Sequence, residues 1–326
     1  MKGVLKRILP LVLVLGLALV GSAGCAASGE APYPSKDVTL LIPWAGGGNV
    51  DLVARIVIEP AKKALGRDIV VKNLEGGAGT VGTAEAAKAK PDGYTVFDCS
   101  SSPMVTVPHL QTVPYKYSDF IGVLRLSTSP IVVVVKGDAP YKSLKEYVEA
   151  SKAKALTYGT PGEGGTNHLA GVKLAKVSGA NLKAVPFKST AEAVTAVIGG
   201  HADSAMAEPG PSIQHIREGR LRALAVLEDT RFEGLPDVAT AKELGYDAVV
   251  GSWTGIALQK GASSTIVTKV HDAFKKGMDD PAFKEALAKI GQKHSYLGSA
   301  DFEKLWAKEY DMYGELMAEV GLKKTK

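Results

Sequence analysis

Cysteine is nearly absent from this chain: Cys25 and Cys99 are the only two among 326 residues. With Cys25 set aside as a modification site, Cys99 has no intramolecular partner, so no disulfide framework is available, and no Cys-x-x-Cys pair exists to hold zinc. Histidine is scarce as well; the six residues at 109, 168, 201, 215, 271 and 294 show no close metal-ligand spacing. There is no Gly-x-Ser-x-Gly elbow to make a serine nucleophile, no Gly-Lys-Ser/Thr after a glycine loop, and no internal repeat. One-signed charge is lacking too. The net charge is +5, from 39 Lys and Arg against 34 Asp and Glu; three of the basic residues and none of the acids precede Cys25, which leaves 36 against 34, or +2. That balance carries no electrostatic footprint for nucleic acid. What is abundant is glycine, 36 residues, beside a hydrophobic fraction of 45%, a composition suited to an α/β protein with many tight turns.

The start of the chain fixes a compartment. Lys2, Lys6 and Arg7 form a basic opening, residues 8–20 an almost unbroken apolar run, and Ser22-Ala23-Gly24 lead into Cys25. This pattern predicts a signal peptide of lipoprotein type over residues 1–24, with Cys25 acylated as the mature N-terminus. Ser22 stands where the usual motif has Leu, so ordinary cleavage nearby stays open; an uncleaved anchor is the other alternative, though the run is shorter than the ~20 residues a spanning helix needs. Residues 25–36, small, polar and proline-bearing, read as a tether. The expected location is the periplasm or the outer face of the cell membrane, without access to cytoplasmic ATP or NAD.

Beyond the tether, apolar bursts alternate with amphipathic segments. Strands are expected at 38–42, 69–71, 94–97, 131–135, 156–158, 184–187, 204–207, 221–226 and 253–258, and helices at 50–59, 80–90, 144–153, 167–178, 191–198 and 212–218. The last quarter reads as purely helical, at 265–278, 281–290 and 300–320, with Asp280-Pro281 as a helix start. Alternating βα units imply one or two mostly parallel sheets with ligands at the strand C-terminal ends. Residues 131–135 are the expected buried crossing between two lobes, and 253–258 the return. The division is then 37–134 plus 252–326 for the first lobe and 135–251 for the second.

Two glycine loops open helices. In the first, Trp44, Gly46, Gly47, Gly48, Asn49 and Asp51 lie between a strand and a helix, where converging backbone N–H groups and the helix N-terminus suit a carboxylate or other anion. The alternative is a tight turn with Asp51 or Asn49 capping. The second loop repeats the logic with Gly162, Gly164, Thr166, Asn167 and His168; the histidine either donates to an anion or packs on its own loop. Ser100, Ser101 and Ser102 offer hydroxyls at a strand end, with a turn or cap as the alternative, and Glu208 offers a carboxylate to a ligand donor or to a neighbouring helix cap. Gly77, Gly79 and Gly82 match a dinucleotide fingerprint with Asp98 ending the next strand, but the intervening Asn73-Leu74-Glu75, the short helix and the exported context argue for a tight turn instead. No cofactor and no metal is expected.

Taken together these motifs resemble the Bug family, the extracytoplasmic solute receptors of tripartite tricarboxylate transporters. The matching stretches include Leu41-Ile-Pro-Trp-Ala-Gly-Gly-Gly-Asn-Val-Asp51, Asn73-Leu-Glu-Gly-Gly-Ala-Gly-Thr-Val-Gly82, Pro91-Asp-Gly-Tyr-Thr95, Gly162-Glu-Gly-Gly-Thr-Asn-His-Leu169, Pro186-Phe-Lys188, Gly219-Arg-Leu-Arg-Ala-Leu-Ala-Val226 and Leu235-Pro-Asp-Val-Ala-Thr240. The resemblance implies an α/β, two-lobed periplasmic-binding-protein fold of the type II-like, Venus-flytrap kind with a helical C-terminal segment. It implies a receptor without chemistry of its own that closes on a small carboxylate and docks on the membrane subunits of a transporter. Backbone N–H groups and waters at Gly47, Gly48 and Asn49 in one lobe, and at Gly164, Thr166 and His168 in the other, are the implied carboxylate holders. Trp44 stands where Phe or Tyr is frequent, Glu208 where Asp is frequent and Pro209-Gly210 where Asn-Leu is common; these departures bear on ligand identity. A monomer is the expected state. A sensor for a membrane kinase, and an exported hydrolase using a serine near 101 with His168, are the alternatives.

Overall fold

The computed structural model describes residues 33–319 and 321–322; the expected leader, Cys25 and the tether up to residue 32 lie outside the described residues. The architecture builds from β1 (Val38–Ile42), an apolar pentapeptide nearly buried throughout, as a strand covered on both faces must be. α1 (Asn49–Leu65) crosses over to β2 (Ile69–Asn73), and α2 (Thr80–Lys88) leads to β3 (Thr95–Ser100); β2 and β3 flank β1 in parallel. α1 turns Val53, Val57, Ile58 and Ala61 to the sheet, the 3.6-residue stripe of an amphipathic helix, and stops at Gly66, whose φ of +69° admits a residue without Cβ at least cost.

After a short irregular helical stretch at Ser102–His109 comes β4 (Phe120–Ser129), and the chain passes through Pro130 into β5 (Val132–Lys136) of a second sheet. There α3 (Leu144–Ala153), β6 (Leu156–Pro161), α4 (Thr166–Ser178), β7 (Leu182–Phe187), α5 (Thr190–Ile198), β8 (Ser204–Ala207), α6 (Pro209–Arg217) and β9 (Leu221–Val226) follow in turn. The chain returns to the first sheet as β10 (Ser252–Gln259), then forms α7 (Ser264–Met278), α8 (Pro281–Lys289), β11 (Lys293–Gly298) and α9 (Ser299–Glu319). The strand orders are β11-β4-β10-β3-β1-β2 and β7-β6-β8-β5-β9. Two α/β lobes result. Leu227 donates its N–H to Ile131 O at 2.7 Å and Val250 to Leu227 O at 3.1 Å, which lays the outgoing and returning segments side by side. Ile131, Leu227, Val250 and Trp253 are buried in one apolar cluster that reaches into both lobes.

Two expectations need correction. The sheets are mixed, because β10 runs antiparallel to both β3 and β4, and β5 antiparallel to β8 and β9. The last quarter is not purely helical: β11 is an edge strand paired antiparallel to β4. β11 reads Lys-His-Ser-Tyr-Leu-Gly, with no apolar alternation to announce it, and is held by pairing with β4 rather than by its own propensity. β4 escapes the pattern for the opposite reason, being buried at most positions without a regular period of two. Asp280 does cap α8, accepting the Ala282 N–H at 2.9 Å.

α9 is the clamp of the first lobe. Phe302, Trp306, Tyr313 and Met317 are buried along it, and Gly122 on β4 and Gly255 on β10 open the slot their rings fill; a Cβ at Gly255 would lie 2.6 Å from Phe302. Beneath, Trp253 Nε1 donates to Glu309 Oε2 at 2.5 Å. Burial pushes the Glu309 carboxyl up to about 7, with the Trp253 bond acting in the opposite direction. A raised folded-state value means that this group's stabilising contribution is full below its ordinary carboxylate range and is lost as pH rises through about 7. Glu309→Gln keeps an acceptor for Trp253 and removes the titration. The variant is expected to flatten the decline of the melting midpoint between pH 5 and pH 8, measured by calorimetry; an unchanged slope would assign that decline to other groups.

Candidate functional site

The two glycine loops meet where the lobes face one another. On the first lobe, α1 begins at Asn49 behind Gly48, an N-cap with no side chain to satisfy the first-turn N–H groups. The loop before it is braced from below: buried Asp51 accepts the Gly47 N–H at 2.8 Å, Arg55 Nε at 2.7 Å and Asn73 Nδ2 at 2.9 Å. Burial alone would raise the Asp51 carboxyl, but these bonds outweigh it and hold it below its ordinary value. Asn49 Oδ1 accepts from Gln292 Nε2 at 2.6 Å, and Trp44 Nε1 donates to Ser100 Oγ at 2.9 Å. On the second lobe, α4 starts behind Gly165, and its Thr166 N–H reaches across to Ser102 Oγ at 3.1 Å. His168 is buried, its Nδ1 accepts the Gly164 N–H at 2.7 Å, and burial depresses its pKa despite Glu163, so the ring is neutral with the proton on Nε2.

Between these loops lies a cavity of about 40 Å³, room for roughly three waters. The first lobe contributes Trp44, Ala45, Gly48, Asn49, Val50, Ser100 and Ser102, the crossing segment Ser252, and the second lobe Pro161, Asn167, Ser189, Thr190 and Glu208. Asn167 Nδ2 is engaged by Met206 O at 2.8 Å. Glu208 is 5% exposed and accepts from Thr190 Oγ1 at 2.5 Å; burial raises its carboxyl while the Thr190 bond opposes. Outside, and sharing Trp44 and Pro161 with it, is a wider cavity of about 720 Å³ with Gly77, Ala78 and Gln111 on one wall and Gly162, Glu163 and Lys188 on the other.

Of the residues singled out in the sequence, Trp44, Gly48, Asn49, Ser100, Asn167 and Glu208 line the inner cavity, and Gly162 lines the outer one. The others line neither cavity; Gly46 and Gly47 are exposed, and the rest are held against the scaffold. Gly46 and Gly47 are in the loop that Asp51 braces; Gly164 and His168 bond each other; Thr166 bonds Ser102; and Ser101 Oγ contacts Ser252 Oγ at 3.3 Å. Ser101 and His168 share no hydrogen bond among those of the described residues. Ser102 joins Ser100 in the lining, whereas Ser189, Thr190 and Ser252 were not anticipated. Ser189 had a signal, for it caps α5 by accepting the Glu192 N–H, a Ser-x-x-Glu box at the end of β7. At the fingerprint-like glycines, Asp98 is fully buried and accepts from Thr254 Oγ1 at 2.5 Å, while a Cβ at Gly82 would lie 2.6 Å from Leu74 O, a packing role.

Several close approaches around this cavity depend on glycine. A Cβ would lie 2.8 Å from Ala78 Cβ at Gly162, 2.0 Å from Leu110 Cδ1 at Gly164, 2.7 Å from Ile290 O at Gly210 and 2.3 Å from Pro209 Cβ at Gly291. Among the described residues no group of three His, Cys, Asp or Glu could hold a metal ion, and no helix is long and apolar enough to cross a membrane.

Comparison with known proteins agrees with this architecture. A family model described as the tripartite tricarboxylate transporter family receptor matches residues 53–322. BugT of Bordetella pertussis is 30% identical over 288 residues, which span 86% of this chain and 88% of BugT. The solved structure of the periplasmic binding protein BugD is similar with a TM-score of 0.83 at 30% identity, covering 90% of this chain and 100% of that one. MatC from Rhodopseudomonas palustris, solved with bound malate, has a TM-score of 0.81 at 25% identity over 87% of this chain and 99% of its own.

Proposed function

This chain belongs to the tripartite tricarboxylate transporter receptor family, periplasmic solute-binding proteins and not enzymes, and on that premise we propose that it captures a small carboxylate between its lobes and delivers it to a tripartite membrane transporter. The observation that carries the reading is the wall of the inner cavity at Gly48, Asn49 and Ser100. An uncapped helix N-terminus and two side-chain donors converge there. Helix N-termini hold anions through backbone N–H groups and the partial positive charge of the first turn, so no arginine is required. The malate held by MatC is of the same chemical class. The closed form, with ligand sealed between the lobes, is the form that docks on the membrane subunits. Acylation of Cys25 and the tether behind it keep the receptor, a monomer, at the outer face of the cell membrane.

A thermal-shift screen of the processed protein against mono-, di- and tricarboxylates, aromatic acids and amino acids tests this. At a hundredfold excess over its dissociation constant a ligand stabilises by about 2.7 kcal/mol, which for a chain of this size raises the midpoint by roughly 4–8 °C. A rise with one acid class is the expected result. No rise with any acid, or a rise with NAD alone, would overturn the proposal.

A further inference from the structure

The inner cavity sets a group of hydrogen-bond donors on the first lobe against a buried carboxylate, Glu208, on the second. On the first lobe, Ser100 Oγ accepts from Trp44 Nε1 at 2.9 Å, which leaves the serine's own O–H proton to give. Asn49 Oδ1 is occupied by Gln292 Nε2 at 2.6 Å, which leaves Nδ2 as the free end, and the first-turn N–H groups of α1 lie beside them. All of these are donors. The facing wall holds Glu208, 5% exposed, which has neutral donors alone, the Thr190 hydroxyl at 2.5 Å, the Asn167 side chain and a backbone N–H, with no Lys, Arg or His among the residues lining the cavity to neutralise its charge. A buried carboxylate requires a partner. A simple acid satisfies the donor wall and brings Glu208 neither a cation nor a further donor; a second ligand carboxylate turned toward Glu208 sets like charges together.

We propose that the ligand is bifunctional, a short acid whose carboxylate lies against the N-terminus of α1 and whose hydroxyl or ammonium group donates to Glu208. Glu208 is then the residue that selects hydroxy or amino acids over the parent acids that lack a donor. The inference rests on the reading of this cavity as the carboxylate site.

Isothermal titration of the processed protein with two matched series, propionate, lactate and alanine, then succinate, malate and aspartate, tests it. A site built to meet a ligand donor rejects the analogue that lacks it, so the preferred donor-bearing member of a series is expected to bind at least about tenfold more tightly than its parent. In Glu208→Gln, which keeps the shape but not the charge, a preference for ammonium falls about tenfold or more, whereas a preference for hydroxyl falls less, since the amide oxygen still accepts. That contrast identifies which donor the site takes. Parent acids binding as tightly as their hydroxy and amino counterparts in the wild-type protein would overturn this inference alone, whatever the variant does. An unchanged preference in a folded Glu208→Gln would also overturn it. Failure of all six acids to bind would overturn the carboxylate site and this inference with it.

Discussion

Gly48→Val is expected to weaken binding of small acids by roughly a hundredfold or more while shifting the melting midpoint by no more than a few degrees. Gly48 has φ −71° and ψ 168°, ordinary extended backbone that valine adopts readily, so the substitution stores no strain at its own Cα. Its Cβ would lie 3.1 Å from Ala45 O, a close contact that a small shift of the loop relieves. Gly48 lines the inner cavity, a space of about 40 Å³ that two added methyl groups at its wall would substantially fill. The ligand is thus displaced by overlap rather than by the loss of one hydrogen bond; a hundredfold corresponds to about 2.7 kcal/mol. Titration calorimetry with the tightest-binding acid, alongside a circular-dichroism melt, reads both quantities. Wild-type affinity in a folded variant would remove the N-terminus of α1 from the binding site.

Trp306→Ala is expected to cost 3–5 kcal/mol and to lower the midpoint by roughly 10 °C. The ring is 1% exposed, stacks on Trp253 at 6.1 Å and meets Phe302 edge-on at 4.9 Å. Its Nε1 makes no hydrogen bond, so truncation orphans no polar partner and the loss is one of packing. Gly122 and Gly255 cannot close the resulting void, because neither strand has a side chain to swing into it. Differential scanning calorimetry decides; a drop of less than about 3 °C would show that α9 contributes little to the first lobe.

The sequence was most legible where local chemistry is strict. Glycine loops opening α1 and α4, the Asp280-Pro281 start of α8 and the continuous apolar run at Ile131–Val135 all follow from backbone conformation, capping or burial within a few residues. β11 and the mixed character of the sheets were hidden because strand direction and edge pairing are decided by distant partners. The site divides along the same line. Trp44, Gly48, Asn49, Ser100, Asn167 and Glu208 line the cavity, but adjacent residues such as Asp51, Ser101, Thr166 and His168 bear the same polar groups and lie one layer behind, bonded to the scaffold. Nothing in their spacing separates a wall residue from its support; only the third dimension does. Ser252 enters the cavity from 44 residues beyond Glu208 (252 minus 208), the nearest lining residue before it in the chain, and no local signal marks it.

The glycines at Gly162, Gly164, Gly210 and Gly291 have a bearing on how a bound molecule leaves. At these points a small group or a single side chain, such as Leu110 or Pro209, sits in a notch that only glycine leaves open, so any other residue there would hold the lobes further apart. The residence time of a bound molecule is then set by its own bonds within the cavity together with the Ser102–Thr166 bonds that join the lobes.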